Sequence, residues 1–364
     1  MLQRLTTQTK PLNVLVATPG GQKGRGGIDR IMHALRGELE RHSAAEVTAK
    51  FVATRGTGSI ALSPIHLANF VARMLGLKAA GRLDVIHINL SSYGSTYRKL
   101  IISRLAHSLD IPYVLHLHGA NYGEFWSERD TRLNRAIRKM FGGAAQVIVL
   151  GNVWRDMVLA RCPEARVVIV PNATAAPTLP RKPGDGTARI LFLGRVGARK
   201  GVPQLTHALS RMLDVPHWHA TIAGDGEVDE ARATASGLGL TDRIDFPGWC
   251  DERQVAELIS RADILVLPSF AENLPMSVIE GMAAGLAVVT TRVGAVTDIV
   301  TDGETGLLVD AGDLDGLANA LRRVVTDEAL RNRLGVAALA FHRSRLDLAP
   351  YAQAMRGVWK SAAN

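Results

Sequence analysis

Two carboxylates with seven residues between them, Glu272 and Glu280, sit in the segment ADILVLPSFAENLPMSVIEGMAAG, residues 262–285. The apolar run Ile264–Leu267 predicts a buried strand that stops at Pro268-Ser269. A short loop then carries Glu272, and Pro275 predicts the opening of a helix, since proline suits a first helical position. Glu280 falls about a turn and a half into that helix. Strand, loop and helix N-terminus is an arrangement that binds anions through free backbone N–H groups and the helix dipole. Carboxylates would repel a phosphate, but they suit the hydroxyl groups of something phosphorylated. The combination points to a nucleotide-sugar site.

Other strand-following loops offer complementary chemistry. After the apolar run Ile190–Leu193 comes GRVGARKG, with Gly194 to turn the chain and Arg195 and Lys200 placed to clamp a diphosphate, the bland alternative being surface charge. The run Asn13–Ala17 leads into TPGGQKGRGG, where Gly26 and Gly27 precede a helix expected near Ile28-Asp29. That is a phosphate-binding design, although it is neither the usual dinucleotide fingerprint nor a P-loop, the bland alternative being a flexible loop near a domain edge. In HLHG, residues 116–119, His116 and His118 alternate and share a strand face, with His118 at the carboxyl end beside Gly119. Two histidines could begin a metal site, but no third ligand has suitable spacing, so ligand contact by His118 is the expectation. The loop FPGWC, residues 246–250, offers Trp249 and Cys250 as a slot for a base, or Trp249 as core.

These loops need a scaffold. Six short apolar runs in each half alternate with helical stretches: Asn13–Ala17, Val47–Val52, Val85–Asn89, Tyr113–Leu117, Val147–Leu150 and Val167–Val170, then Ile190–Leu193, Ala220–Ala223, Ile244–Phe246, Ile264–Leu267, Ala287–Thr290 and Gly306–Val309. Such alternation predicts an α/β chain of two doubly wound parallel sheets, whose ligands bind outside the strands' carboxyl ends. The expected domains are 1–174 and 188–345, joined by the Pro/Gly-rich linker 175–187, with a C-terminal helix within 346–364.

Composition bounds the function. Of 364 residues, 47% are hydrophobic and 21% charged, as in a globular protein. Cys162 and Cys250 give neither a disulfide framework nor metal-ligand spacing. No apolar run reaches the ~18–20 residues of a membrane span, and the polar N-terminus is no signal peptide, so the cytoplasm is the expected compartment. Residues 1–180 hold 23 Lys/Arg against 11 Asp/Glu, whereas 181–364 hold 20 against 23. Arg129, Arg132, Arg135, Arg138 and Lys139 line up at helical spacing, and Arg98, Lys99 and Arg104 form a second cluster. These charges are a solvated face or an attraction to an anionic surface, either the inner leaflet of a membrane or a phosphate-bearing acceptor; nucleic acid fits poorly, because few aromatics interleave the charges.

LGRV…KG at 193–201, AGDG at 223–226, PS…ENLP…IEGMA…G at 268–285, Gly294 and TGL at 305–307 together resemble the family 4 retaining glycosyltransferases, which have the two-Rossmann fold called GT-B. Gly26-Gly27, His118-Gly119 and VPN at 170–172 extend the resemblance over nearly the whole chain. It implies that Arg195 and Lys200 hold and stabilise the leaving diphosphate, Glu280 the ribose, and Glu272 and His118 the transferred sugar. It assigns further donor contacts to Gly26, Gly27, Gly194, Trp249, Cys250, Asn273, Leu274, Pro275 and Met276. Asn273-Leu274-Pro275 departs from the more frequent glycine-aromatic-glycine run, so it does not name the donor. The implied activity moves a sugar from a UDP- or GDP-linked donor to a glycan or polyprenyl-diphosphate-linked acceptor, without a cofactor or metal, and the C-terminal helix would pack back on the first domain. Two other readings stay open: a non-catalytic sugar-nucleotide or partner-binding module, and a nicotinamide oxidoreductase using Glu46 for ribose.

Overall fold

The structure, a computed structural model, describes residues 10–21, 24, 26–182 and 185–364. The chain divides into two compact units, one formed by the chain up to Pro171 together with Leu348–Asn364, the other by Asn172–Asp347.

In the first unit the order is β1 (Leu12–Thr18), α1 (Gly27–His42), β2 (Val47–Ala53), α2 (Ser63–Ala79), β3 (Val85–Leu90), α3 (Gly94–Ser108), β4 (Tyr113–Leu117), α4 (Tyr122–Phe125), α5 (Arg132–Gly142), β5 (Gln146–Val149), α6 (Asn152–Arg161) and β6 (Val167–Ile169). The six strands form a parallel sheet in the order β2-β1-β3-β4-β5-β6. In the second unit the order is β7 (Ala188–Leu193), α7 (Val202–Ser210), β8 (Trp218–Ala223), α8 (Val228–Gly237), β9 (Ile244–Gly248), α9 (Glu252–Arg261), β10 (Ile264–Leu267), α10 (Met276–Ala283), β11 (Ala287–Thr291), β12 (Leu307–Val309), α11 (Leu314–Thr326) and α12 (Glu328–Arg345). Its parallel sheet runs β12-β11-β10-β7-β8-β9. The final helix, α13 (Leu348–Ala363), returns to the first unit and packs on α1, β3 and β4.

All twelve expected strands are present, because strands covered on both faces read as continuous apolar runs. β3, β4, β10 and β11 are buried at every residue. The order of strands reverses beside β1 in one sheet and beside β7 in the other. At such a reversal neighbouring loops diverge and leave a crevice at the carboxyl ends of the strands. The loops after β1 and β3, and those after β7 and β10, therefore border these crevices.

Three expectations change. The Pro/Gly-rich stretch 175–187 falls within the second unit: Asn172 Nδ2 donates to the Leu274 carbonyl at 3.1 Å, and Arg181 pairs with Asp263 at 2.7 Å. Glu46 precedes β2, at the end of the sheet away from the crevice, and its carboxylate is taken by Arg356 and Lys360 of α13, so it holds no ribose. Among the described residues one stretch, Ile60–Ala79, is long and apolar enough to cross a membrane. Pro64, His66, Asn69 and Arg73 interrupt it, so no unbroken apolar run marks it in the sequence. As the connection between parallel strands of one sheet, with Phe70 and Met74 buried beneath it, it lies along the protein rather than through a bilayer.

Candidate functional site

In the second unit, backbone contacts bring the loops after β7 and β10 together. Gly201, with φ +73, caps α7, and a Cβ there would lie 2.0 Å from the Pro268 carbonyl oxygen. Phe270 N–H donates to the Arg199 carbonyl, and Arg199 Nη1 donates back to the Ala271 carbonyl at 2.9 Å. Gly294, with φ +57, sits against the Glu272 and Asn273 carbonyls, where a Cβ would come within 2.1 Å. Only a residue without a side chain allows either approach.

This closeness sets the charges. Lys200 Nζ donates to Glu272 Oε1 at 2.5 Å, and the two side chains are only 14% and 9% exposed. The Lys200 stem passes close to Gly194. Arg195 is exposed, its Cγ lying over Gly226, where a Cβ would come within 3.1 Å. Ser269 Oγ is buried at the same loop junction with no hydrogen-bond partner. A buried orphan hydroxyl beside a shielded ion pair is a polar group that a bound ligand can satisfy. Pro275 is the N-cap of α10 rather than its first residue, Met276 opens the helix, and Glu280 is half-buried within it. Asn273, Leu274 and Pro275 are buried in the loop that leads there. Trp249 is 52% exposed, which closes the core-packing reading, while Phe246 is buried beneath the Arg232 guanidinium, 5.6 Å from the ring centre. Cys250 lies beside Trp249, its thiol pushed up by burial.

In the first unit His118 is fixed by partners that spacing does not reveal. Asn89 Nδ2 donates to the Ala17 carbonyl, which leaves its Oδ1 as acceptor, and His118 Nε2 lies 2.8 Å from that oxygen. His118 therefore carries its proton on Nε2 and presents a lone pair at Nδ1. Behind it Trp359 Nε1 donates to His87 Nδ1 at 3.1 Å, turning the His87 Nε2–H toward the same Asn89 oxygen at 3.4 Å. The His116 ring lies 4.0 Å from that of His118, centre to centre, and both its nitrogens are buried without partners. Burial, with repulsion from His87, pulls His118 down to about 3, and burial pulls His87 to about 4. All three rings are neutral at neutral pH. Among the described residues no group of three His, Cys, Asp or Glu is placed to hold a metal.

Gly26 is the N-cap and Gly27 the first residue of α1, one position earlier than expected. The glycine loop bends back onto Asp29, whose carboxylate accepts from Gly20 N–H at 3.0 Å. Asp29, Asn89, His87 and Trp359 are the residues that sequence reasoning missed. The only signal for the strand pair was the alternation of His87 and Asn89, which repeats that of His116 and His118 on the neighbouring strand.

Two doubly wound units with glycine-lined loops at their switch points define the GT-B class. The family model "Glycosyl transferase 4-like domain" matches residues 12–173 and "Glycosyl transferases group 1" matches 180–340. The chain belongs to the family 4 type of GT-B glycosyltransferases. It is 36% identical over 146 residues to the lipopolysaccharide core biosynthesis glycosyltransferase LpsE of Rhizobium meliloti, covering 40% of this chain and 42% of that protein. It is 30% identical over 263 residues to the phosphatidyl-myo-inositol mannosyltransferase of Mycolicibacterium smegmatis, covering 70% and 65%. These alignments thus reach less than two thirds of either relative's length. The structure of HepE from Anabaena, solved with UDP and glucose, superposes with a TM-score of 0.73 at 19% identity, covering 96% of this chain and all of that one. That likeness concerns the fold.

Proposed function

We propose that this glycosyltransferase transfers a sugar, with retention of anomeric configuration, from a UDP- or GDP-linked donor to a hydroxyl of a glycan or lipid-linked acceptor. The observation that carries the donor site is the shielded Lys200–Glu272 pair at the switch point, beside the orphan Ser269 hydroxyl. In this reading the entering diphosphate shares Lys200 with Glu272 and engages Arg195, and Glu272 turns to the sugar hydroxyls. Glu280 takes the ribose and Trp249 flanks the base. His118, neutral and with only a lone pair to offer, accepts a hydrogen bond from a sugar hydroxyl and cannot act as a general acid. Gly26 and Gly27 present backbone N–H groups to the donor.

As the bond between the anomeric carbon and the diphosphate oxygen breaks, the acceptor oxygen bonds to the same face of that carbon. Its proton passes to the departing phosphate. Negative charge grows on the leaving group, and each fixed donor aimed at it contributes roughly 2.7–4 kcal/mol. Arg195 and Lys200 supply the balancing positive charge, so we place no divalent metal in the reaction. Relatives named for lipopolysaccharide core biosynthesis and for phosphatidyl-myo-inositol support a glycan or lipid-linked acceptor, and in this reading the enzyme works in the cytoplasm or peripherally at the inner face of the membrane.

A donor panel read by thermal stabilisation and turnover tests this. One nucleotide sugar is expected to stabilise the protein by ~2.7 kcal/mol at 100 times its dissociation constant. Failure of every UDP- and GDP-sugar to bind, with Lys200→Ala changing nothing, contradicts it.

A further inference from the structure

At the carboxyl end of the first sheet the amino end of α3 carries more positive charge than its surroundings balance. Arg98 folds back over Gly94, the first residue of α3, its Nη1 3.4 Å from where a Cβ would stand. A guanidinium there faces the positive end of a 15-residue helix dipole, which is unfavourable without an anion. Its Nε is buried and has no hydrogen-bond partner. Tyr93, the N-cap, holds the strained backbone angle φ +57. Lys99 is fully buried and donates to Thr54 Oγ1, while Thr54 in turn donates to the Thr18 carbonyl. This ties down the loop that presents Arg55, whose N–H donates to the Pro19 carbonyl. Arg55 and Lys99 both lie close enough to Asp29 to stabilise its charged form, but burial pushes Asp29 and Lys99 alike toward their neutral forms, which leaves Arg55 and Arg98 without an offsetting carboxylate. His118 is close by, since a Cβ on Gly119 would come within 3.0 Å of Ser92 Oγ in the loop leading to α3.

The same loop adjoins an apolar surface. Gly56, with φ +79, packs against His66 of α2, where a Cβ would overlap the ring. Beside it Ile60, Leu62 and Ile65 are 67%, 49% and 65% exposed. On α3, Tyr93, Tyr97 and Ile101 form an exposed stripe at four-residue spacing. From residue 47 to residue 109 there are eight Lys/Arg and a single acid, Asp84. An exposed apolar helix rimmed by unopposed cations matches the interface of an anionic bilayer. By contrast, on α5 Arg135 is paired with Asp130 and Arg138 with Glu164.

We propose that Arg55 and Arg98, at the amino end of α3, bind a phosphate group carried by a lipid of the membrane into which the exposed side chains of α2 and α3 insert. Naming that lipid as the sugar acceptor rests on the function proposed above; the binding itself does not. Lys99 is a positioning residue behind the site.

Two probes separate the parts: inorganic diphosphate, followed by thermal shift in the Arg195→Gln/Lys200→Gln background that removes the donor clamp, and flotation with phosphatidylcholine vesicles, plain or containing polyprenyl phosphate. The expected result is stabilisation by diphosphate and roughly tenfold tighter binding to the phosphate-bearing vesicles. Arg55→Gln/Arg98→Gln should abolish both while retaining the melting temperature and nucleotide-sugar binding. Ile65→Asp/Leu62→Asp should lose vesicle binding and keep the diphosphate response. Neutralising Arg132, Arg135 and Arg138 should leave both intact. A diphosphate response unchanged in Arg55→Gln/Arg98→Gln overturns the site. A protein that responds to diphosphate but does not prefer lipid phosphate overturns the lipid assignment. Because donor binding is measured separately, loss of the donor reading remains distinguishable from loss of this one.

Discussion

The crevice beside β7 and the crevice beside β1 occupy equivalent places in two sheets of the same design, yet they are built by opposite means. The first is shaped by backbone: glycines at 201 and 294 let loops touch, and one ion pair, Lys200–Glu272, concentrates the charge. The second is shaped by side chains that reach across long sequence distances, Trp359 to His87 and Lys99 to Thr54. A backbone-built site keeps its geometry while ligands vary in detail. A site built from a hydrogen-bonded side-chain network fixes protonation as well as position. The difference suits the function proposed above, in which one half recognises a nucleotide diphosphate and the other keeps His118 neutral.

Disturbing the ion pair should have the largest effect. Lys200→Ala is expected to lower kcat/KM by roughly 10²–10³-fold. By leaving Glu272 shielded and unpaired, it should also cost about 3–5 kcal/mol of stability in denaturant titrations. Lys200→Ala/Glu272→Gln should recover much of that stability and none of the activity. Recovery of both would make the pair a structural bridge and remove the contrast.

Acid tests the other half. His87 ionises near 4 when folded and near its ordinary 6.5 when unfolded, so between those values the unfolded chain binds the extra proton. Stability should therefore be level above about pH 7 and fall as pH drops from 6.5 toward 4, by up to about 3 kcal/mol from this residue alone. Urea midpoints measured from pH 7.5 to 5 check this, and a flat profile would show that the histidines are not buried and neutral.

Gly201→Ala should cost about 1–3 kcal/mol, through its positive φ and the Pro268 carbonyl it would strike, and should weaken donor binding. The smallest change is expected for Trp359→Phe, about 1 kcal/mol for one buried hydrogen bond. Its sharper readout is ¹⁵N NMR of the histidines, where His87 should lose its fixed tautomer while His118 keeps Nε2 protonated through Asn89.

The same contrast explains what was legible in the sequence. The twelve strands and the meeting of the loops after β7 and β10 could be read, since buried parallel strands are continuous apolar runs and close loop contacts demand glycine at fixed places. The partners of His118 could not: no periodicity connects Trp359 to His87, and Asn89 looks like any polar residue at a strand end. Residues 175–187 have the composition of a linker, but the side chains of Asn172 and Arg181 fasten the segment to the second unit. The surface of α2 was hidden because the polar residues scattered through it break the apolar run without making the helix polar.

The central claim, that the loops after β7 and β10 form the donor site, is tested most directly by calorimetric titration of the protein with the best nucleotide sugar from the panel, repeated with Arg195→Gln/Lys200→Gln. Saturable one-to-one binding by the unaltered protein and its loss in the variant is the predicted result. Binding of equal strength in both would contradict the account.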